Sequence, residues 1–275
     1  MLTPHTFNTG QLTLSYVEGP DNGPPLLLLH GASGRWQAYE PVLLAFADHW
    51  HVYACDLRGH GESGRAPTPG AYLIRDFMRD IEAFVRGVMP ADNAVTLVGF
   101  SLGALVALGT AAATPKRMRG LVLVEPPFML RNHHFRELPI APLMEMIHET
   151  TRKQPPFEEL LAVTRSVLPE ADDAIILAIA TQLSKVDPGV TDPEVRDRVI
   201  EGLDLEAMLE AIPCPILLFH GEPALGALIL EDDIAWARQH ARTVDVVHVP
   251  GAGHDIPLEL VVQHGERFIG ALPTS

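Results

Sequence analysis

Ser101 lies between two glycines in the segment GFSLG, residues 99–103, and this segment directly follows the largely apolar residues 95–98. A serine at a sharp turn between a strand and a helix adopts a strained backbone conformation that exposes its hydroxyl above the sheet. Such a hydroxyl attacks a carbonyl carbon when a neighbouring base accepts its proton. The segment is equally compatible with an ordinary serine at a helix N-terminus, packed between small residues. A nucleophilic role therefore requires partner residues elsewhere in the chain.

The segments around Ser101 alternate between strand and helix patterns, which decides where its hydroxyl lies. Alternating apolar and polar residues predict an antiparallel strand with one solvated face over 12–19. Short apolar runs predict strands over residues 24–31, 95–100, 120–125 and 214–221 and at the start of 50–63 and 244–254. Helical spacing of apolar residues predicts helices over residues 72–88, 101–115, 231–241 and 258–272. This alternation predicts an α/β fold, with a mainly parallel sheet and helices on both faces. Ser101 then lies at the carboxyl end of a strand, where such sheets bind ligands.

Residues 126–210 interrupt this alternation, because they contain helical patterns and no convincing strand. The predicted helices cover residues 157–168, 171–186 and 191–203. Thr191 and Glu194 occupy the two positions of a capping box at the start of the last one. A helical block between two strands is typical of an inserted cap.

Four motifs in a fixed order extend the pattern over nearly the whole chain. They are HGASG (30–34), DLRGHGES (56–63), GFSLG (99–103) and PGAGHDIPLE (250–259). Together they resemble the motifs of the α/β-hydrolase fold family. The resemblance implies a mostly parallel eight-stranded sheet flanked by helices. It divides the chain into a core, residues 1–125 and 211–275, and a helical cap, residues 126–210.

The resemblance also implies a role for each matching residue. Ser101 is the expected nucleophile, and His254, after the last strand, is the expected general base. The backbone N–H groups of Leu102 and Ala32 are expected to form the oxyanion hole. The alternative for His254 is a solvated histidine in a loop.

The catalytic acid is missing from the position that the resemblance implies. The family usually carries an Asp shortly after the strand that follows the cap, where this chain has Ala224 and Leu225. Glu125 is the favoured substitute, because it ends the strand predicted next to that of the nucleophile and so faces the same crevice. Certain haloalkane dehalogenases and lipases of the family place the acid after this strand, and the segment VEPPF looks similar.

Other carboxylates remain open as the acid. Glu222 is the main alternative, although at a strand end its side chain is free to point away from the site. Asp232 and Asp233 fit the first turn of the next predicted helix, where acids interact favourably with the helix dipole. Asp255 is adjacent to His254 and therefore poorly placed to reach Nδ1 of that ring.

A serine, a histidine and an oxyanion hole predict attack on an acyl carbon. We expect an acyl-enzyme esterase of the carboxylesterase type, acting on a carboxylic ester, lactone or thioester of small to medium, largely apolar character. Candidate substrate-binding residues are Trp36, Phe128, Met129, Phe135 and Met144. Candidates for binding a substrate carboxylate are Arg131, Arg136 and His133. Alternatives with the same Ser-His pair are a ligand receptor and a cofactor-free C–C hydrolase or oxygenase.

Composition narrows the possible partners. The 275 residues carry a formal net charge of -15, which argues against nucleic acid or an anionic membrane as a partner. We expect no cofactor and no metal, because no dinucleotide or phosphate-loop motif and no convincing metal-ligand spacing occurs. Cys55 and Cys214 lie beside apolar segments and are expected to be buried free thiols. With no recognisable secretion signal, we expect a cytoplasmic monomer or homodimer that acts on a small molecule.

Overall fold

One mixed sheet forms the centre of the protein, and the computed structural model describes residues 1–272. Its strands are β1 (Thr3–Asn8), β2 (Thr13–Glu18), β3 (Pro25–Leu29), β4 (His51–Cys55), β5 (Val95–Phe100), β6 (Met118–Val124), β7 (Ile216–His220) and β8 (Val244–His248). Their order is β1-β2-β4-β3-β5-β6-β7-β8. β2 pairs antiparallel with β1 and with β4, and the other pairs are parallel. The predicted mostly parallel, eight-stranded sheet is confirmed.

The order of the strands creates a crevice beside β3. The chain passes from β3 to β4 on one side, and β5 pairs with the other side of β3. Such a reversal opens a space at the carboxyl ends of the strands, where open α/β sheets bind ligands. The loop with Ala32 leaves β3 and the turn with Ser101 leaves β5, so both predicted site segments border this crevice.

Helices cover both faces of the sheet, as the alternating pattern predicts. The α-helices of the described chain are α1 (Glu40–Phe46), α2 (Ile74–Gly87), α3 (Leu102–Ala113), α4 (Ala141–Arg152), α5 (Phe157–Val167), α6 (Asp173–Ser184), α7 (Asp192–Val195), α8 (Leu205–Ala211), α9 (Glu231–His240) and α10 (Leu258–Ala271). α1 and α10 pack in one core cluster, and α2, α3, α8 and α9 pack in the other. In β3, Leu26 and Leu28 join the first cluster while Leu27 and Leu29 join the second. A strand buried on both faces is apolar throughout for this reason.

The segment between β6 and β7, which we call the helical insertion, contains α4 to α8 and no strand in the described chain. α5 and α6 match two of the predicted helices. α4 lies where no helix was predicted, and the predicted helix over 191–203 is wrong beyond its first turn, since α7 ends at Val195. The Thr191 hydroxyl makes no capping bond and instead lies 2.9 Å from Nδ1 of His148 in α4. The boundaries of a separate cap domain stay a prediction.

Candidate active site

Ser101 occupies the tight turn between β5 and α3. Its backbone has φ 51° and ψ −116°, a strained conformation for a residue with a side chain. Gly99 and Gly103 make the turn possible. A Cβ atom on Gly99 would lie 2.4 Å from the Gly103 oxygen, and one on Gly103 would lie 2.4 Å from the Leu29 oxygen. The glycines on either side of Ser101 are therefore required by close backbone packing.

Two backbone N–H groups near Ser101 have no acceptor in the part of the chain that the structure describes. Leu102 is the first residue of α3, and the first N–H groups of a helix have no partner within it. The N–H of Ala32 donates to no acceptor within the described residues. Both residues line the same cavity as Ser101, so these donors are available to an oxyanion.

His30 holds the loop that carries Ala32. Its Nε2 lies 2.9 Å from the Leu57 nitrogen and must accept that N–H, which leaves the proton on Nδ1 for the Gly31 oxygen, 2.8 Å away. Burial lowers the pKa of His30 to about 4, so the ring is neutral at physiological pH. Both ring nitrogens are occupied by the backbone, and His30 positions the loop.

Glu125 and His254 meet at the carboxyl end of the sheet. Glu125 directly follows β6 with φ 50°, and its residue is 1% exposed. Its Oε1 accepts the Gly221 N–H at 2.8 Å, and its Oε2 accepts the Leu228 N–H at 2.7 Å. The Nδ1 of His254 lies 3.3 Å from the same Oε2. Two backbone donors thus fix a carboxylate that holds the proton of His254 on Nδ1 and leaves Nε2 free to accept another.

Among the rival carboxylates, Asp255 lines the same cavity but makes no hydrogen bond to the His254 ring in the described chain, and Glu222 and Asp233 bond elsewhere. Glu222 accepts the Gly251 N–H on Oε1 at 2.8 Å, and so holds the loop that leads to His254. Asp233 accepts the Leu230 N–H within the first turn of α9 and pairs with Arg131 at 2.7 Å. Glu125 is thus the carboxylate that contacts the His254 ring in the described chain.

A cavity of about 420 Å³ joins these groups. Ser101, Glu125, His254, Ala32 and Leu102 all line it. No hydrogen bond connects the side chains of Ser101 and His254 in residues 1–272. Such bonds are often long without substrate and tighten when it binds.

The helical insertion supplies much of the cavity wall. Of the predicted substrate-binding residues, Phe135 and Met144 line the cavity. The lining residues of and beside α4 are Ile140, Leu143, Met144 and Ile147. Their spacing is that of one helix face, a signal present in the sequence that the prediction of this segment did not use. Gln182 and Glu194 are polar lining residues for which no binding role was predicted.

The structure differs from the predicted pocket wall at three positions. The cavity lining does not include Trp36, Phe128 or Met129. Phe128 is 1% exposed and packs edge to face on Trp236, with ring centres 5.3 Å apart. Met129 belongs to the same core cluster as Phe128, and Trp36 packs against the opposite one. Phe128 and Met129 are thus used in packing the insertion against the core, and Trp36 in packing on the other face of the sheet.

The predicted carboxylate-binding residues also lie outside the lining. Arg131 stacks over the Trp236 ring at 3.8 Å and pairs with Asp233. Arg136 and His133 are likewise absent from the wall. No lysine or arginine of the described chain lines the cavity.

The comparisons with known proteins agree with this architecture. The sequence model of the alpha/beta hydrolase family matches residues 26–271. The chain belongs to this family. It is therefore an α/β-fold hydrolase.

Curated relatives cover nearly the whole chain. A protein of Nitrosospira multiformis named pimeloyl-[acyl-carrier protein] methyl ester esterase is 28% identical, over 94% of this chain and 97% of the relative. A 2-(acetamidomethylene)succinate hydrolase of Mesorhizobium japonicum is 26% identical, over 95% of this chain and 93% of the relative. Among solved structures, a Rhodococcus esterase has a TM-score of 0.76 at 21% identity, over 99% of both chains. The structural similarity shows the shared fold.

Two further expectations concern the molecule as a whole. Cys55 and Cys214 are free and buried, as predicted. No helix within residues 1–272 has the length and apolar character needed to cross a bilayer.

Proposed function

We propose that the protein is a serine esterase that hydrolyses carboxylic esters of small to medium, largely apolar substrates. The observation that carries the proposal is the contact between Glu125 Oε2 and His254 Nδ1 at 3.3 Å, in the cavity that also contains Ser101. A buried carboxylate that orients a histidine next to an elbow serine is the arrangement that activates a serine hydroxyl. Lactones and thioesters are related substrates of the same chemistry.

The reaction follows from the geometry in two steps. His254 Nε2 accepts the Ser101 proton while Ser101 Oγ bonds to the carbonyl carbon, and the carbonyl oxygen becomes an oxyanion facing the Leu102 and Ala32 N–H groups. The imidazolium then donates its proton to the leaving alkoxide, which leaves an acyl-enzyme. Water, deprotonated by the same histidine, attacks that ester, and Ser101 regains its proton when the acid departs. Glu125 stabilises the imidazolium in both steps.

Two observations favour carboxylic esters among the possible acyl substrates. The 28% identical relative from Nitrosospira multiformis is named as a methyl ester esterase. The cavity wall from the helical insertion includes Leu130, Phe135 and Met144, whose side chains suit an apolar group. Methionine adapts to varied apolar shapes, which favours a range of acyl chains.

Hydrolysis of p-nitrophenyl butyrate by wild type, Ser101→Ala and Ser166→Ala tests the proposal. Ser166 is an exposed serine whose hydroxyl bonds to a backbone oxygen of its own helix, so it is a matched control. We expect Ser101→Ala to abolish turnover, because no acyl-enzyme can form, and Ser166→Ala to retain it. After wild type is treated with an organophosphate inhibitor, mass spectrometry should locate the adduct on Ser101. Wild-type turnover by Ser101→Ala refutes the acyl-enzyme on Ser101, whereas tight ester binding without any turnover in wild type refutes the esterase and favours a receptor.

A further inference from the structure

Glu194 is a buried carboxyl group that the reaction above does not use. It belongs to α7 in the helical insertion, is 4% exposed and lines the cavity. Its Oε2 has no hydrogen-bond partner in the described structure. Glutamates are rarely this buried unless paired, and an unpaired buried polar atom carries a desolvation penalty. The free oxygen therefore points to a role in binding.

The surroundings of Glu194 favour its neutral form. The cavity wall around it is largely apolar, and Asp192 of the same helix adds a negative charge nearby. Burial, reinforced by Asp192, raises the pKa of Glu194 to about 7. From α4, the His148 ring directs Nδ1 to the Thr191 hydroxyl at 2.9 Å and lies 3.9 Å from Asp192. A neutral carboxyl group both donates and accepts a hydrogen bond.

Gln182 is a second polar group on the insertion's side of the cavity. It belongs to α6, and its amide also both donates and accepts. Ser101, Glu125 and His254 approach the cavity from the sheet, whereas Gln182 and Glu194 approach it from the insertion. A substrate group that extends from the scissile bond toward the helical insertion would meet these two polar groups.

We propose that Glu194 and Gln182 bind an uncharged hydrogen-bonding substituent, a hydroxyl or carboxamide, at the end of the acyl chain away from the ester. This inference rests on the proposed esterase function and specifies its substrate class. A substrate carboxylate is disfavoured at this end, because Glu194 is acidic and no lysine or arginine of the described chain lines the cavity. Small polar groups in an otherwise apolar pocket are what fix orientation and specificity.

Matched ester series test the assignment. Ethyl esters of straight-chain acids, from butanoate to octanoate, are compared with their ω-hydroxy, ω-amino and ω-carboxy counterparts by kcat/KM. In wild type we expect kcat/KM for the ω-hydroxy ester of the best chain length to exceed kcat/KM for the plain ester. The ω-carboxy ester should have the lowest kcat/KM. Glu194→Leu should lower the ratio of ω-hydroxy to plain ester about tenfold, since a buried hydrogen bond to the substrate is lost. Glu194→Gln keeps a donor and an acceptor and should retain most of the ratio.

Glu201→Leu is the control, because Glu201 is an exposed glutamate near α7 that pairs with Arg198. It should leave the ratio unchanged. An equal loss on all esters in Glu194→Leu would show that Glu194 only supports the fold. A preference for ω-amino esters that Glu194→Gln removes would show an anionic site and overturn the neutral assignment. If wild type hydrolyses plain and hydroxylated esters equally, this inference fails alone; if it hydrolyses none, the proposed function fails with it.

Discussion

The burial of Glu194 makes the stability of the protein depend on pH in a way that one substitution isolates. Glu194→Gln keeps the size and polarity of the side chain and removes its titration. Comparing the free energy of unfolding of the two proteins over a pH range cancels the contributions of the other ionisable groups, because both proteins share all of them. The remaining pH dependence reports the Glu194 carboxyl itself.

The magnitude follows from the pKa of Glu194. An ordinary glutamate has a pKa of 4.5, and burial raises that of Glu194 to about 7. Each pKa unit corresponds to about 1.4 kcal/mol, so the difference is worth about 3 kcal/mol. Below about pH 4.5 the group is neutral in both the folded and unfolded states and has no effect. As pH rises from about 4.5 to about 7, the unfolded state has already released this proton while the folded state still holds it, so the wild type is progressively destabilised relative to Glu194→Gln; above about pH 7 both states are ionised and the difference levels off.

Urea unfolding of both proteins, measured by circular dichroism from about pH 4.5 to about pH 8, gives the difference in their free energies of unfolding at each pH. We expect Glu194→Gln to gain about 3 kcal/mol relative to wild type over this range, with most of the gain by pH 7. The carbonyl stretch of the protonated Glu194 carboxyl in the infrared difference spectrum of the folded protein should disappear around pH 7 in wild type only. A difference that is constant with pH would refute the argument that Glu194 is desolvated.

The remaining predictions concern the proposed catalytic acid and the turn that carries Ser101. Glu125→Gln should lower kcat by about a thousandfold or more, because a neutral amide no longer stabilises the His254 imidazolium; Glu222→Gln keeps its acceptor oxygen and should remain near wild type in the same ester assay. The reverse result would make Glu222 the acid. Gly103→Ala should destabilise the protein by about 2–3 kcal/mol in thermal unfolding, because its Cβ would lie 2.4 Å from a backbone oxygen of β3. Gly270→Ala in α10 meets nothing within 4 Å and should not destabilise it.

Much of the fold was predictable because the signals were local. β3 and β5 are apolar runs that end at glycine-rich turns, and strand ends of this kind are visible in the chain itself. The absence of an Asp near Ala224 and the acidic end of β6 were enough to propose Glu125. The contact between Glu125 and His254 could only be seen in the structure, since it joins residues 129 positions apart.

The helical insertion was harder to predict, and the reason is physical. Apolar residues such as Phe128 and Met129 suit a pocket wall and a packed core equally well, so their pattern alone does not separate the two. Thr191 and Glu194 fitted a capping box, but His148 of α4 engages the threonine hydroxyl and the glutamate is buried in the cavity wall.

The sequence by itself thus determined the α/β alternation, the elbow at Ser101 and the residues that end the central strands. These depend on spacing between neighbours in the chain. The tertiary structure alone decided which face of α4 meets the cavity, which aromatic rings pack in the core, and that one Glu194 oxygen has no partner among residues 1–272. Those outcomes depend on how segments far apart in the chain share a limited buried volume, where packing overrides local preference.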